Sequence, residues 1–116
     1  PLLLWVACYP ERVFALLDTS GYGVEVQQKY HGLVIVERPI TLGTAQIPVG
    51  AYGLGIQKPA TGATDPARVF IYDVAGQKVA ETTATYDAAL AQPMPLQVVT
   101  APTLRLYVGR YALDIK

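Results

Sequence analysis

Asp18, Ser20 and His31 are the one Ser/His/Asp set the sequence offers, because serine and histidine each occur once in its 116 residues. Acyl transfer by such a set needs a hydroxyl activated by the imidazole, a carboxylate behind it, and donors for the developing oxyanion. Ser20 lies in the turn "DTSGYG" (Asp18 to Gly23), outside any nucleophile-elbow pattern, with nothing nearby to supply an oxyanion hole. His31 is too solitary for a histidine metal centre. Cys8 is the sole cysteine, which rules out a cysteine metal cluster and an intrachain disulfide. Asp65, Asp73, Glu81 and Asp87 lack the spacing of a calcium loop. No two acids are set apart by context as a glycosidase pair. "GAYGLG" (Gly50 to Gly55) has spaced glycines but not the strand–turn–helix setting that makes such a run cradle phosphate. The expectation is a protein that is not an enzyme, with no catalytic, metal or cofactor-binding residue and no cofactor.

The totals point to binding or assembly. Hydrophobic residues make up 52% and charged residues 16%, so a chain of this length should fold as one domain with a real core. Nine basic residues balance nine acidic ones, without the basic surplus that nucleic acid or an anionic membrane selects. Near-zero charge with high apolarity favours self-association. No apolar run reaches the roughly 18 residues of a membrane span. Asparagine is absent, which removes glycosylation sequons and Lys–Asn isopeptide staples; few thermolabile residues and nine prolines fit a hot habitat. Tyr9, Tyr22, Tyr30, Tyr52, Tyr72, Tyr86, Tyr107 and Tyr111 could line a carbohydrate surface, or serve as ordinary strand residues with wet hydroxyls.

Strand signals dominate the elements that would position these groups. "ERVFALL" (Glu11 to Leu17), "VEVQQKY" from Val24 and "LVIVER" (Leu33 to Arg38) read as strands, followed by "ITLG" and "AQIPVGAYGLGI". In the last, Tyr52, Leu54 and Ile56 share one face. Gly53 and Gly55 leave the other bare, where a backbone or an aromatic ring can lie. After the loop Gln57 to Ala67, a hairpin is expected with strands Arg68 to Val74 and Gln77 to Thr85 around Ala75-Gly76. "YDAALAQ" (Tyr86 to Gln92) is the one helix-like piece, stopped by Pro93 and Pro95. "LQVVT", "LRLYV" and "RYALDI" close the chain as strands, with Leu104, Leu106 and Val108 inward and Arg105 and Tyr107 opposite. Seven to nine short strands separated by Gly/Pro turns predict an all-β antiparallel sandwich or partly open barrel.

From Lys29 onward, "KYHGLVIVERPITLG", "IPVGAYGLGI", "AQPMPLQVV" and "LRLYVGRYAL" occur in an order that resembles a family of small exported bacterial proteins with no assigned activity. The resemblance implies export and a small β domain; it supplies no catalytic residue and does not reach the first twenty or so residues.

Those residues begin "PLLLWVACYP", in which Leu2, Leu3, Leu4, Trp5, Val6, Ala7, Cys8 and Tyr9 form an unbroken uncharged run. Glu11 and Arg12 sit where a signal peptide should be apolar, so the run is expected to belong to the mature fold. Residues 1–10 are accordingly an arm on a body of residues 11–116, with Pro10 as a stiff hinge. The expected function is a structural subunit of an extracellular filament. Each copy donates its arm as a strand to the next, into an acceptor groove around Tyr52, Gly53, Leu54, Gly55 and Ile56. The alternative is a monomeric or small-oligomeric exported β-sandwich module that binds a ligand such as a carbohydrate or a surface, with the arm as its own first strand.

Overall fold

Side chains alternate in and out along a strand, so a half-buried strand writes its orientation into its sequence. "ARVFIY" does this without exception. Ala67, Val69 and Ile71 are fully buried, whereas Arg68, Phe70 and Tyr72 stand on the other face. The computed structural model describes residues 2–9, 12–18, 31–59, 65–100 and 104–116. Within them are eleven strands: β1 (Leu2–Tyr9), β2 (Arg12–Asp18), β3 (Gly32–Val36), β4 (Ile40–Leu42), β5 (Ala45–Ile47), β6 (Gly50–Gln57), β7 (Ala67–Tyr72), β8 (Lys78–Tyr86), β9 (Met94–Val99), β10 (Arg105–Gly109) and β11 (Tyr111–Asp114).

Nine of these form one antiparallel sheet in the order β1-β2-β3-β6-β7-β8-β11-β10-β9, and β4 pairs with β5 alone. The outermost strands of that order, β1 and β9, lie against each other, so the sheet curls into a nearly closed barrel. After β8 the chain crosses to β9 and returns through β10 to β11, which pairs with β8, giving these four strands a Greek-key order.

The interior is filled by apolar side chains from every quarter of the sheet. Phe14 on β2, Val34 and Val36 on β3, Leu54 on β6, Val69 and Ile71 on β7, Ala84 on β8, Leu96 on β9, Leu106 on β10 and Leu113 on β11 meet in one cluster. The described side chains therefore make a packed core inside the barrel.

One end is plugged by the β4–β5 hairpin, which buries Ile40, Leu42, Ala45 and Ile47 against that core. Reciprocal backbone bonds between Thr41 and Lys116, at 2.8 and 2.9 Å, fasten it to the last residues. Gly43 at its tip has φ +62°, and a Cβ there would overlap Thr82 Oγ1. Only glycine fits. Thr82 is buried, and its hydroxyl accepts the Thr44 N–H and shares a second hydrogen bond with Thr44 Oγ1, each at 3.0 Å.

Several expectations need correction or refinement. Residues 86–92 do not form a helix: Tyr86 ends β8 and the rest is turn. Arg110 Nη1 donates to the Leu90 carbonyl at 2.8 Å and, at 3.4 Å, to those of Asp87 and Ala88. The Asp87 side chain accepts the Ala89 N–H. Backbone groups that a helix would use internally are thus engaged elsewhere, and seven residues before two prolines cannot outbid them. Tyr107 faces away from the core as expected, yet it is only 4% exposed, because its hydroxyl is held against Asp87. "AQIPVGAYGLGI" is two strands, β5 and β6, broken at Pro48 and Val49. The hairpin turn expected at Ala75-Gly76 is present, with Gly76 at φ +82° and Asp73 Oδ1 accepting the Ala75 and Gln77 N–H groups. Pro10 and the strand expected from Val24 lie outside the described residues.

Candidate functional site

The barrel end opposite the hairpin plug is formed where β2, β6 and β10 finish and β3, β8, β9 and β11 meet them. Inward positions there follow from the same alternation that builds the core. Leu16 is two residues beyond Phe14, Ile56 two beyond Leu54, and Val108 two beyond Leu106. Each is partly buried and packed against the core cluster. Tyr86 and Tyr111 pair across β8 and β11 with their rings edge to face, centroids 5.5 Å apart. Leu16, His31, Ile56, Lys58, Pro95, Val108 and Gly109 line an open cavity of about 520 Å³. That size lies within the range of small-molecule sites, and barrel mouths are common places for them.

Lys58 continues the inward series Leu54, Ile56. Its ammonium stands 6.0 Å from the Tyr111 ring centroid, at the outer margin of a cation–π contact. Among the described residues no carboxylate forms an ion pair with it. His31 precedes β3, whose pairing with β6 begins at Gly32 opposite Leu54. Ile56 is two residues past that last pair, and the imidazole takes over: His31 Nδ1 accepts the Ile56 N–H at 3.2 Å. Burial, and after it the Lys58 cation, hold the His31 pKa below the ordinary imidazole value. The ring is therefore neutral near pH 7. With Nδ1 accepting, its proton resides on Nε2, which is a donor.

A second concavity, of about 450 Å³, lies on the outer face of β8, β11 and β10. Thr83, Thr85, Ala112, Arg105 and Asp114 line it, with Asp87 at one end. Its charges serve one another. Arg105 Nε donates to Asp114 Oδ1 at 2.8 Å, and the Tyr107 hydroxyl donates to Asp87 Oδ2 at 2.7 Å. The Tyr107 hydrogen bond is the main reason Asp87 sits below the usual carboxylate range. Among the described residues, no three His, Cys, Asp or Glu side chains come together to hold a metal.

No family model, curated protein or solved structure matches the chain. What the site can do rests on its own geometry.

Leu2 to Tyr9 form β1, which pairs antiparallel with β2 of the same chain from Leu2 opposite Asp18 to Tyr9 opposite Arg12, with an irregularity between Leu3 and Trp5. Tyr52, Gly53, Leu54, Gly55 and Ile56 belong to β6, which is hydrogen-bonded to β3 on one edge and β7 on the other. Gly53 and Gly55 pair with Tyr72 and Phe70 on β7, so bare glycines do lie beside aromatic residues. Ser20 lies outside the described residues. Asp65, Asp73, Glu81 and Asp87 are not brought together as a metal site. The described tyrosines are spread over the molecule: Tyr52 donates to the Pro48 carbonyl at 2.9 Å, while Tyr86 and Tyr111 sit at the mouth. Of the expected groove residues, Ile56 alone lines the mouth cavity. Leu16, Lys58, Pro95, Val108 and Gly109 went unnoticed as a set, because they are joined only by closure of the sheet. Their one local signal was the continuation of β6 parity into a cation at Lys58.

Proposed function

We propose that this protein is a small-molecule-binding barrel that takes the apolar part of its ligand into the mouth opposite the hairpin plug. The observation that carries this is the contrast between the two ends. One is filled by the β4–β5 hairpin, whereas the other holds a cavity of about 520 Å³ walled by Leu16, Ile56 and Val108. Half-buried aliphatic side chains around a concavity gain by covering, at roughly 25 cal/mol per Å² of apolar surface removed from water.

Filament assembly by strand donation makes heavier demands. β1 would have to leave β2, and β6 would have to give up one of its two hydrogen-bonded neighbours to accept a strand. Ligand binding at the mouth asks for neither. The resemblance carried by residues from Lys29 onward supports placing such a module outside the cell.

The test is a fluorescence titration with a neutral, environment-sensitive apolar dye such as 1-aminoanthracene. Saturable binding is expected for the wild type, and Val108→Trp, which fills the cavity, should weaken it about tenfold or more. Failure of the dye to saturate, or equal binding by a folded Val108→Trp variant, would refute the proposal.

A further inference from the structure

The side-chain polar groups at the mouth are unbalanced in one direction. Lys58 brings an ammonium with no ion-paired carboxylate among the described residues. His31 has its acceptor nitrogen occupied by the Ile56 N–H, which leaves Nε2–H as a donor. Among the described residues, the cavity lining contains no acidic side chain. Below this rim the walls are the half-buried aliphatic side chains Leu16, Ile56 and Val108, which pack on the buried core beneath them. Leu54 and Ile56 on β6, and Lys58 one residue past its end, grade from core to boundary to an exposed cation.

Resting on mouth binding as proposed above, we infer that the ligand is an amphipathic anion, with an alkyl or aryl body in the mouth cavity and a carboxylate-type head at Lys58 and His31. An anionic head gives Lys58 the counter-charge that its described neighbours do not supply, and it accepts from both donors at once. A cationic head would meet a like charge beside apolar walls that screen it poorly. A neutral head would leave the ammonium partly covered and without a counter-ion, which costs solvation. The Tyr111 ring beside the ammonium is a weaker partner than a carboxylate, so the contact gives way when the head arrives.

Decanoate, decanol and decyltrimethylammonium carry the same apolar chain and differ in the head. Each is titrated against full-length wild type, Lys58→Met and Lys58→Glu, read by displacement of the neutral dye. Decanoate should bind about tenfold more tightly than decanol to the wild type, and the cation least well. Lys58→Met should abolish the advantage of decanoate while leaving decanol unchanged, and Lys58→Glu should favour the cation. The preference for decanoate should shrink as salt is raised, since a rim charge is screened. If the dye saturates the site but decanol matches decanoate in the wild type, the anion inference is overturned and mouth binding stands. If Lys58→Met keeps the full decanoate preference, the assignment to Lys58 is overturned. If neither dye nor decyl compound saturates, mouth binding and the anion inference fall together.

Discussion

The Tyr107 hydroxyl reaches Asp87 Oδ2 at 2.7 Å, tying β10 to the connection that carries the chain from β8 across to β9. This hydrogen bond is the first cause of the lowered Asp87 pKa. A carboxyl depressed in the folded state stabilises the fold above its unfolded value, near 4, and that contribution disappears as pH falls through the folded value. Tyr107→Phe is expected to lower the melting temperature at pH 7 and to lower it less at about pH 2.5, closer to the range in which the Asp87 carboxyl takes up its proton. Paired thermal melts at the two pH values check this; an equal loss at both would show that Asp87 is not the partner that matters.

His31 titrates with the opposite consequence for charge and the same sign for stability. Its folded pKa lies below the ordinary imidazole value, so the folded state binds fewer protons than the unfolded chain in that window. Stability is complete above the unfolded value, near 6.5, and declines as pH falls from there through the lowered folded value. Because His31 is the single histidine, His31→Ala should flatten this limb while lowering stability at pH 7 through loss of the Ile56 acceptor. Melts across that range, with hydrogen exchange at the Ile56 amide, provide the measurement.

Gly43 and Gly109 have the same φ of +62° but different surroundings: a Cβ at Gly43 would overlap Thr82 Oγ1, whereas a Cβ at Gly109 would meet nothing within 4 Å. Gly109→Ala should therefore cost only the conformational penalty, about 1–2 kcal/mol. Gly43→Ala adds displacement of the hairpin plug and should cost clearly more. Chemical denaturation of the two variants separates the effects, and equal losses would mean the plug yields freely.

Thr82→Val preserves shape but removes the acceptor of the Thr44 N–H inside the plug. Leaving that donor unsatisfied is expected to cost about 1–3 kcal/mol, and Thr82→Ser should recover most of it. Denaturant midpoints for the two variants decide whether the hydroxyl or the methyl group matters.

The pairing of β1 with β2 predicts how the full chain and a truncated chain behave. Deleting residues 1–9 would leave the β2 edge without its partner, so the shortened protein should be less stable and should associate through that edge. The full-length protein should sediment as a discrete particle at micromolar concentration. A full-length chain that polymerises, with a truncated chain that stays a stable monomer, would instead place the arm in a neighbouring copy.

Much of the strand content was legible because alternation is a local property. "RVFIY" and "LVIV" declare their faces residue by residue, and Gly76 with Asp73 declares a turn. The stretch "YDAALAQ" misled because its helical leaning is weak, and its carbonyls are claimed by Arg110, twenty or more residues away. The apolar run Leu2–Tyr9 was legible as a strand, but its pairing partner was not, since an all-apolar strand fits any edge with covered faces. Lys58 was visible as a charge after β6, without anything to show that it overlooks a cavity.

The all-β class, most of the strands and the inward side chains can be read from the residues alone, because they follow from a two-residue period and from turn chemistry. Tertiary structure decided that β11 pairs with β8, that β9 and β1 close the sheet, and that Leu16, Ile56, Lys58 and Val108 share one mouth. Those contacts join residues far apart in the chain. Which distant segments meet is set by the total energy of closing the barrel around its core, and no short stretch of sequence contains that information.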